Sequence, residues 1–139
     1  MATKTKLKRL HSLQKRALRT IVPDSKCVTR PEDLGILSLP HALTYSACKF
    51  LHEQFAGVGP NVLKTKFLGD QRATRAKNTK IVKLELRKSL IGRNSHYVKT
   101  AKIWNCLPEE IRTTSSEVLF GKRLKNFLLQ NSQDRFKFF

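Results

Sequence analysis

Side chains that could act as acids, bases or metal ligands are few in this sequence and lie far apart. The adjacent acids are Glu32–Asp33 and Glu109–Glu110, and each pair stands where a helix is expected to begin. Carboxylates there complement the positive end of a helix, so a capping role explains them better than acid–base catalysis. The four histidines stand apart, and no C-x-x-C or H-x-x-x-H spacing occurs. The sequence therefore predicts no catalytic residue, no metal site and no cofactor.

Nucleophile and phosphate-loop motifs are missing as well. Gly57-Val58-Gly59-Pro60 lacks the Lys-Ser/Thr pair that a P-loop needs. Cys27, Cys48 and Cys106 form an odd, widely spaced set, which predicts a reducing compartment and no disulfide framework. Cys48 and Cys106 fall within helical patterns and are expected to be buried and unreactive. We therefore expect an intracellular protein of the nucleus or cytoplasm, not a secreted one.

Basic side chains are the chemistry that this chain supplies in quantity. The 139 residues contain 28 Lys plus Arg against 10 Asp plus Glu, which gives a formal net charge of +18. Residues 1–23 hold seven bases and no acid, and residues 71–108 hold ten bases and one acid. Such blocks attract polyanions, because each base near a phosphate releases condensed counterions. We therefore expect RNA or DNA as the partner, bound by electrostatic contact without sequence specificity.

The residues expected to contact phosphate come from both basic blocks. They are Lys8, Lys15, Arg16, Arg19, Arg72, Arg75, Lys77, Arg87, Lys88 and Arg93. An anionic membrane surface is the main rival partner, although no apolar run approaches the roughly 18 residues that a membrane span needs. Trp104 lies within an apolar helical pattern, so we expect it to pack in the core and not to stack on a base.

Helices are the elements that must position these bases. From Leu7 to Ile21, apolar residues recur at helical spacing and fall within an arc of roughly 140°. The four bases predicted here to contact phosphate lie on the opposite side. This pattern predicts an amphipathic helix, apolar inward and basic outward, that ends at Val22–Pro23 because proline cannot continue it.

The rest of the chain also shows mostly helical signals. A short turn after Thr29 is ended by Gly35, and a helix follows from Leu39–Pro40 to Gly57. Further helices are predicted over 95–107, from Pro108 onward, and after Thr114-x-x-Glu117, which has the capping-box form. The last helix has an apolar face of Phe120, Leu124, Phe127 and Leu128.

The fold class predicted is therefore all-α, a small bundle of about four helices with a basic central loop. Residues 81–86 alternate partially, which leaves one short extended segment as an open alternative. The predicted organisation is an N-terminal helical half over 1–68, a basic loop or linker over 69–80, a C-terminal helical half over 81–130 and a tail over 131–139.

Several motifs stand in an order that resembles a known family. From Trp104 to Arg112 the chain reads W-N-C-L-P-E-E-I-R, followed by Ser115-Ser116 and Phe120-x-x-x-Leu124-x-x-x-Leu128. Earlier, Leu10 to Ile21 reads L-H-S-L-Q-K-R-A-L-R-T-I, and Asp33 to Leu39 reads D-L-G-I-L-S-L. From Leu7 to Leu129, this order resembles the region after the polymerase core of non-LTR (LINE-type, jockey-like) retrotransposon reverse transcriptases.

The resemblance implies a non-catalytic, nucleic-acid-binding C-terminal fragment of an RNA-directed DNA polymerase. The paired aspartates that hold the polymerase metals are missing from this sequence, and so are endonuclease motifs, so we expect no enzymatic activity of the chain itself. One alternative is a protein-interaction or inert remnant helical module that docks through an exposed leucine stripe, with the polymerase core or another protein as partner. An enzyme that depends on polymerase or endonuclease segments supplied elsewhere also stays open.

Overall fold

A computed structural model describes residues 4–21, 31–58, 80–82 and 95–131 of the chain. Within these ranges there are five α-helices and no strand, so the all-α prediction is confirmed. The predicted tail beyond 131 lies outside the described residues, as does the predicted linker except for Lys80. The helices are α1 (Lys4–Ile21), α2 (Leu39–Ala56), α3 (His96–Cys106), α4 (Glu109–Arg112) and α5 (Glu117–Gln130), with a 3₁₀ turn at Pro31–Leu34.

Local sequence signals set both ends of α2. Pro40 lies in its first turn, where the missing N–H of proline costs no helical hydrogen bond. Gly57 follows the last turn with a φ of 81°, a left-handed conformation that glycine adopts without the penalty of a Cβ. The N–H of Gly57 donates to the carbonyl of Gln54 at 3.1 Å and so closes the helix. Both predicted ends of this helix are confirmed.

The predicted capping box before α5 does not form. The Thr114 hydroxyl donates to the carbonyl of Glu110 at 2.9 Å, because the end of α4 leaves carbonyls without helical partners. The residue that precedes α5 is Ser116, and its side chain makes no capping hydrogen bond. Glu117 instead accepts from the Lys49 ammonium of α2 at 2.9 Å, and this contact lowers the pKa of the Glu117 carboxyl.

The core lies where α2 packs against α3 and α5. The Trp104 ring of α3 is fully buried and stacks on Phe55 at a centroid distance of 5.4 Å. The Trp104 ring also contacts the ring of Phe120 of α5, with 5.8 Å between the two centroids. Both predicted halves of the chain therefore contribute to one core, whose buried members include Cys48, Leu51, Val82, Ala101, Trp104, Phe120, Leu124 and Leu128.

A glycine allows the close packing of α5 on α2. A Cβ placed on Gly121 would lie 2.8 Å from the Tyr45 hydroxyl oxygen, which is closer than such atoms pack. Glycine in a helix costs about 0.5–1 kcal/mol relative to alanine. The position therefore exchanges some helix propensity for the approach of the tyrosine.

Candidate nucleic-acid interface

Helix α1 presents four of the predicted phosphate contacts to solvent. Lys8, Lys15, Arg16 and Arg19 are all exposed, and the helix contains no acid over its 18 residues. At about 100° per residue these four bases share an arc of roughly 100°. With a rise of 1.5 Å per residue, the helix is about 27 Å long. This geometry gives one side of α1 an uninterrupted positive potential.

The other six predicted contacts lie outside the described residues, so within the described ranges the candidate interface consists of α1 alone. They are Arg72, Arg75, Lys77, Arg87, Lys88 and Arg93.

The predicted inward orientation of the whole apolar stripe is wrong. Leu10, Leu13 and Ile21 are 50%, 56% and 70% exposed, whereas Leu18 is buried. The side of α1 that faces the body runs through Leu7, His11, Gln14 and Leu18, which are buried or half-buried. This side is turned by roughly 60° from the centre of the apolar stripe. Helix α1 therefore has three sides, one facing the body, one basic and one apolar but exposed.

A glutamine side chain explains how α1 docks with this rotation. The Gln14 amide nitrogen donates to the carbonyl of Leu37 at 2.8 Å, and its oxygen accepts from the N–H of Leu39 at 2.8 Å. Leu39 begins α2, where the first N–H groups have no acceptor within the helix. The side chain of Ser38, which precedes α2, makes no capping bond, and its hydroxyl contacts His41 instead. Gln14 therefore caps α2 from a different helix.

An asparagine of the W-N-x-L-P motif holds a second piece of backbone in the same way. The Asn105 amide nitrogen donates to the Val82 carbonyl at 2.9 Å, and its oxygen accepts from the Val82 N–H at 3.0 Å. Next to it, the Trp104 indole N–H donates to the carbonyl of Lys80 at 2.6 Å. The prediction that Trp104 packs in the core is confirmed, so its ring offers no face to a base.

Lys80 points its charge into the body. Its backbone has a φ of 49°, a left-handed conformation that residues other than glycine rarely adopt. Its ammonium donates to the Thr114 carbonyl at 3.3 Å, which also accepts from the Nε2 of His52 at 2.7 Å. Burial lowers the pKa of Lys80. This base therefore serves the connection between α4 and α5, and we do not count it as a phosphate contact.

The two described cysteines differ in their surroundings. Cys48 lies in the core, as predicted, and burial raises the pKa of its thiol to about 12. Cys106 is exposed, so the prediction that it is buried is wrong. In the last turn of α3, Ile103, Trp104 and the following Leu107 face the core, and Cys106 is left on the outer side.

The described residues offer little else that resembles a site. A groove of about 640 Å³ between α4 and α5 has Ile111 and Phe127 along it and both Glu110 and Arg123 beside them. The described ranges contain no group of three or more side chains placed to hold a metal ion. No helix in the described part of the chain is long and apolar enough to cross a membrane.

No protein-family model, curated protein or solved structure matches this chain. The resemblance to retrotransposon reverse transcriptases therefore stays a prediction from the motifs.

Proposed function

We propose that this protein binds nucleic acid without catalysis, through electrostatic contact that does not depend on base sequence. One observation carries the proposal: Lys8, Lys15, Arg16 and Arg19 are exposed on one side of a helix without acids, in a chain of net charge +18. The six remaining predicted bases enter the proposal through the sequence alone.

The physical basis is the release of counterions from phosphate. Each phosphate neutralised by a lysine or arginine increases the magnitude of the slope of log K against log salt by about 0.9 for duplex DNA. A helix about 27 Å long extends beside roughly eight base steps of 3.4 Å, so its bases can reach several phosphates. Trp104, the one tryptophan of the chain, is fully buried and offers no ring face on which a nucleobase could stack. We therefore expect similar affinity for unrelated sequences.

Docking of α1 supports this function by fixing the direction of its basic side. Gln14 and Leu18 hold a different side of the helix on the body, so the helix is already ordered when its lysines and arginines bind phosphate. Less conformational entropy is then lost on association.

We also propose that the chain serves as the nucleic-acid-binding C-terminal region of a non-LTR reverse transcriptase, acting in the nucleus or cytoplasm. The order of the motifs supports this role. The structure adds that three of their residues have definite tasks, since Trp104 and Asn105 hold residues 80–82 and Gln14 holds the backbone at Leu37 and Leu39. An in-frame segment encoding an Asp-Asp motif, found upstream in the transcript, would support the assignment. A transcript with no such segment would count against it.

Fluorescence anisotropy with two unrelated labelled oligonucleotides tests the binding proposal. The variant K15Q/R16Q/R19Q should bind both more weakly, and its salt slope should fall by up to about three units between roughly 50 and 200 mM salt. The matched control K102Q/K122Q/K125Q removes the same charge from exposed positions on α3 and α5. It should retain most of the affinity. Equal losses in both variants would show that only net charge matters, and a strong sequence preference at high salt would contradict the proposal.

A further inference from the structure

The exposed apolar side chains of α1 form a ridge of the kind by which helices pack on one another. We call Leu10, Leu13, Ala17 and Ile21 the outer strip; all four are exposed. Their spacing of three, four and four residues places them within an arc of roughly 80°. A line with this spacing is the ridge that fits the groove of a neighbouring helix.

The outer strip continues the surface by which α1 docks on the body. Leu7 and Leu18 belong to the same apolar stripe, and the body covers them fully or in part. The body therefore buries one edge of the stripe and leaves the other edge in water. A second element lying alongside α1 would complete the burial of the stripe.

The positive charge beside the outer strip indicates which kind of molecule could lie alongside α1. Lys6 and Arg9 are exposed along the outer strip, within or beside its arc, while Lys8, Lys15 and Arg19 lie on the far side of the helix. A second copy of this chain would bring two helices without acids and two chains of charge +18 together, and like charges repel. A lipid surface would be a poor match, because the strip has no aromatic residue to anchor it at an interface.

We propose that the outer strip docks an acidic amphipathic helix of a partner protein, with its apolar seam on Leu10, Leu13 and Ile21 and its carboxylates against Lys6 and Arg9. This site lies beside the nucleic-acid side of α1, because Arg9 and Arg16 are only about 20° apart around the helix. Its occupation leaves Lys8, Lys15 and Arg19 accessible, so the protein can bring a partner to nucleic acid.

Titration of the full chain with designed helical peptides of about 20 residues tests the proposal. One peptide has a leucine seam flanked by glutamates, a second has the same composition in scrambled order, and a third has lysines in place of the glutamates. The first should bind about tenfold or more tightly than the other two. Equal binding of the scrambled peptide, or no binding of the first, would overturn the proposal.

Two variants locate the contact. L10S/L13S should abolish binding of the glutamate peptide, and its melting temperature should stay near that of the parent because both side chains are at least half exposed. V118S/L119S is the matched control, since it removes two similarly exposed apolar side chains from α5 and should bind normally. K6E/R9E should reverse the preference and favour the lysine peptide. Unchanged preference in K6E/R9E would exclude the acidic partner.

The other occupants are tested on the same proteins. Sedimentation that shows a dimer in the parent but not in L10S/L13S would identify a second copy as the occupant and overturn the proposal. Leucine-dependent binding to phosphatidylserine vesicles, with no binding of the glutamate peptide, would identify lipid and overturn it as well. Neither result bears on nucleic-acid binding, which the anisotropy experiment measures separately.

Discussion

Gln14 and Asn105 each hold a stretch of backbone by donating one hydrogen bond to a carbonyl and accepting one from an N–H, but they do so in different surroundings. Around Asn105, the neighbouring Trp104 is fully buried and the captured residue Val82 is 1% exposed. Around Gln14, Leu18 is the one buried apolar side chain of α1. The Asn105 clamp therefore adds to an apolar core, whereas the Gln14 clamp supplies much of what holds α1 in place.

Because of these surroundings, similar hydrogen bonds should contribute unequally to the free energy of unfolding. A hydrogen bond contributes only about 0.5–1.5 kcal/mol net, but a buried group left unpaired costs about 1–3 kcal/mol. Where water cannot reach the backbone groups that the amide leaves unpaired, loss of the amide should destabilise the whole fold. Where water can enter, as at the edge of α1, the loss should stay local.

The largest effect is expected at the core beside the Asn105 clamp. Trp104→Ala removes a fully buried ring that touches Phe55 and Phe120, together with its hydrogen bond to Lys80. The change should lower the free energy of unfolding by about 3–5 kcal/mol, measured by urea denaturation. Domains commonly have about 5–15 kcal/mol in total, so the variant should be largely destabilised or unfolded. A loss below about 1 kcal/mol would show that the ring is not a core residue.

Asn105→Leu tests the clamp itself in this apolar setting. The leucine keeps the branched shape of the side chain with somewhat larger volume, but it leaves the N–H and carbonyl of Val82 without these partners. We expect a loss of about 2–3 kcal/mol in the free energy of unfolding. Asn105→Asp is the control, because its carboxylate can still accept from the Val82 N–H. If the leucine and aspartate variants have equal free energies of unfolding, the hydrogen bond that the Val82 N–H donates to this side chain contributes nothing.

The sequence predicted what depends on neighbours along the chain. Pro40 and Gly57 mark the ends of α2, because a proline and a glycine act within one turn of their own position. The Gln14 and Asn105 clamps join residues 23 to 25 positions apart, so no local pattern announces them. The Gln14 contacts that accompany the rotation of α1 join distant residues, so the sequence left an inward stripe and an exposed leucine stripe as alternatives. The basic surface of α1 was predictable, because lysine and arginine side chains without acidic partners remain in solvent however the helix docks.

Leu18 and Leu13 provide the next comparison, within α1. Leu18→Ala should lower the free energy of unfolding by about 2 kcal/mol, at the low end for a buried leucine, because the site is at the edge of the fold. Leu13→Ala should change it by less than about 0.5 kcal/mol, since the side chain is 56% exposed. Both are measured by thermal and urea denaturation. Equal losses at the two positions would show that α1 docks with its whole stripe inward.

A modest global effect is expected for Gln14→Leu, which removes both hydrogen bonds to the backbone at Leu37 and Leu39. Because water can solvate these groups at the edge of the fold, the free energy of unfolding should fall by only about 1 kcal/mol. Amide hydrogen exchange should reveal the local effect. The α1 amides should exchange roughly 5-fold faster than in the parent, and in both proteins they should be less protected than those of α3 and α5.

Gln14→Glu separates the two halves of this clamp. The carboxylate can still accept from the N–H of Leu39, and a negative charge is favourable at the start of α2, but the donor to the Leu37 carbonyl is lost. We expect exchange in α1 to lie between that of the parent and that of Gln14→Leu. Equal protection of the amides of α1, α3 and α5 in the parent and in Gln14→Leu would mean that α1 unfolds together with the core. The two amides would then have the same role, and the contrast between a core clamp and a peripheral one would fail.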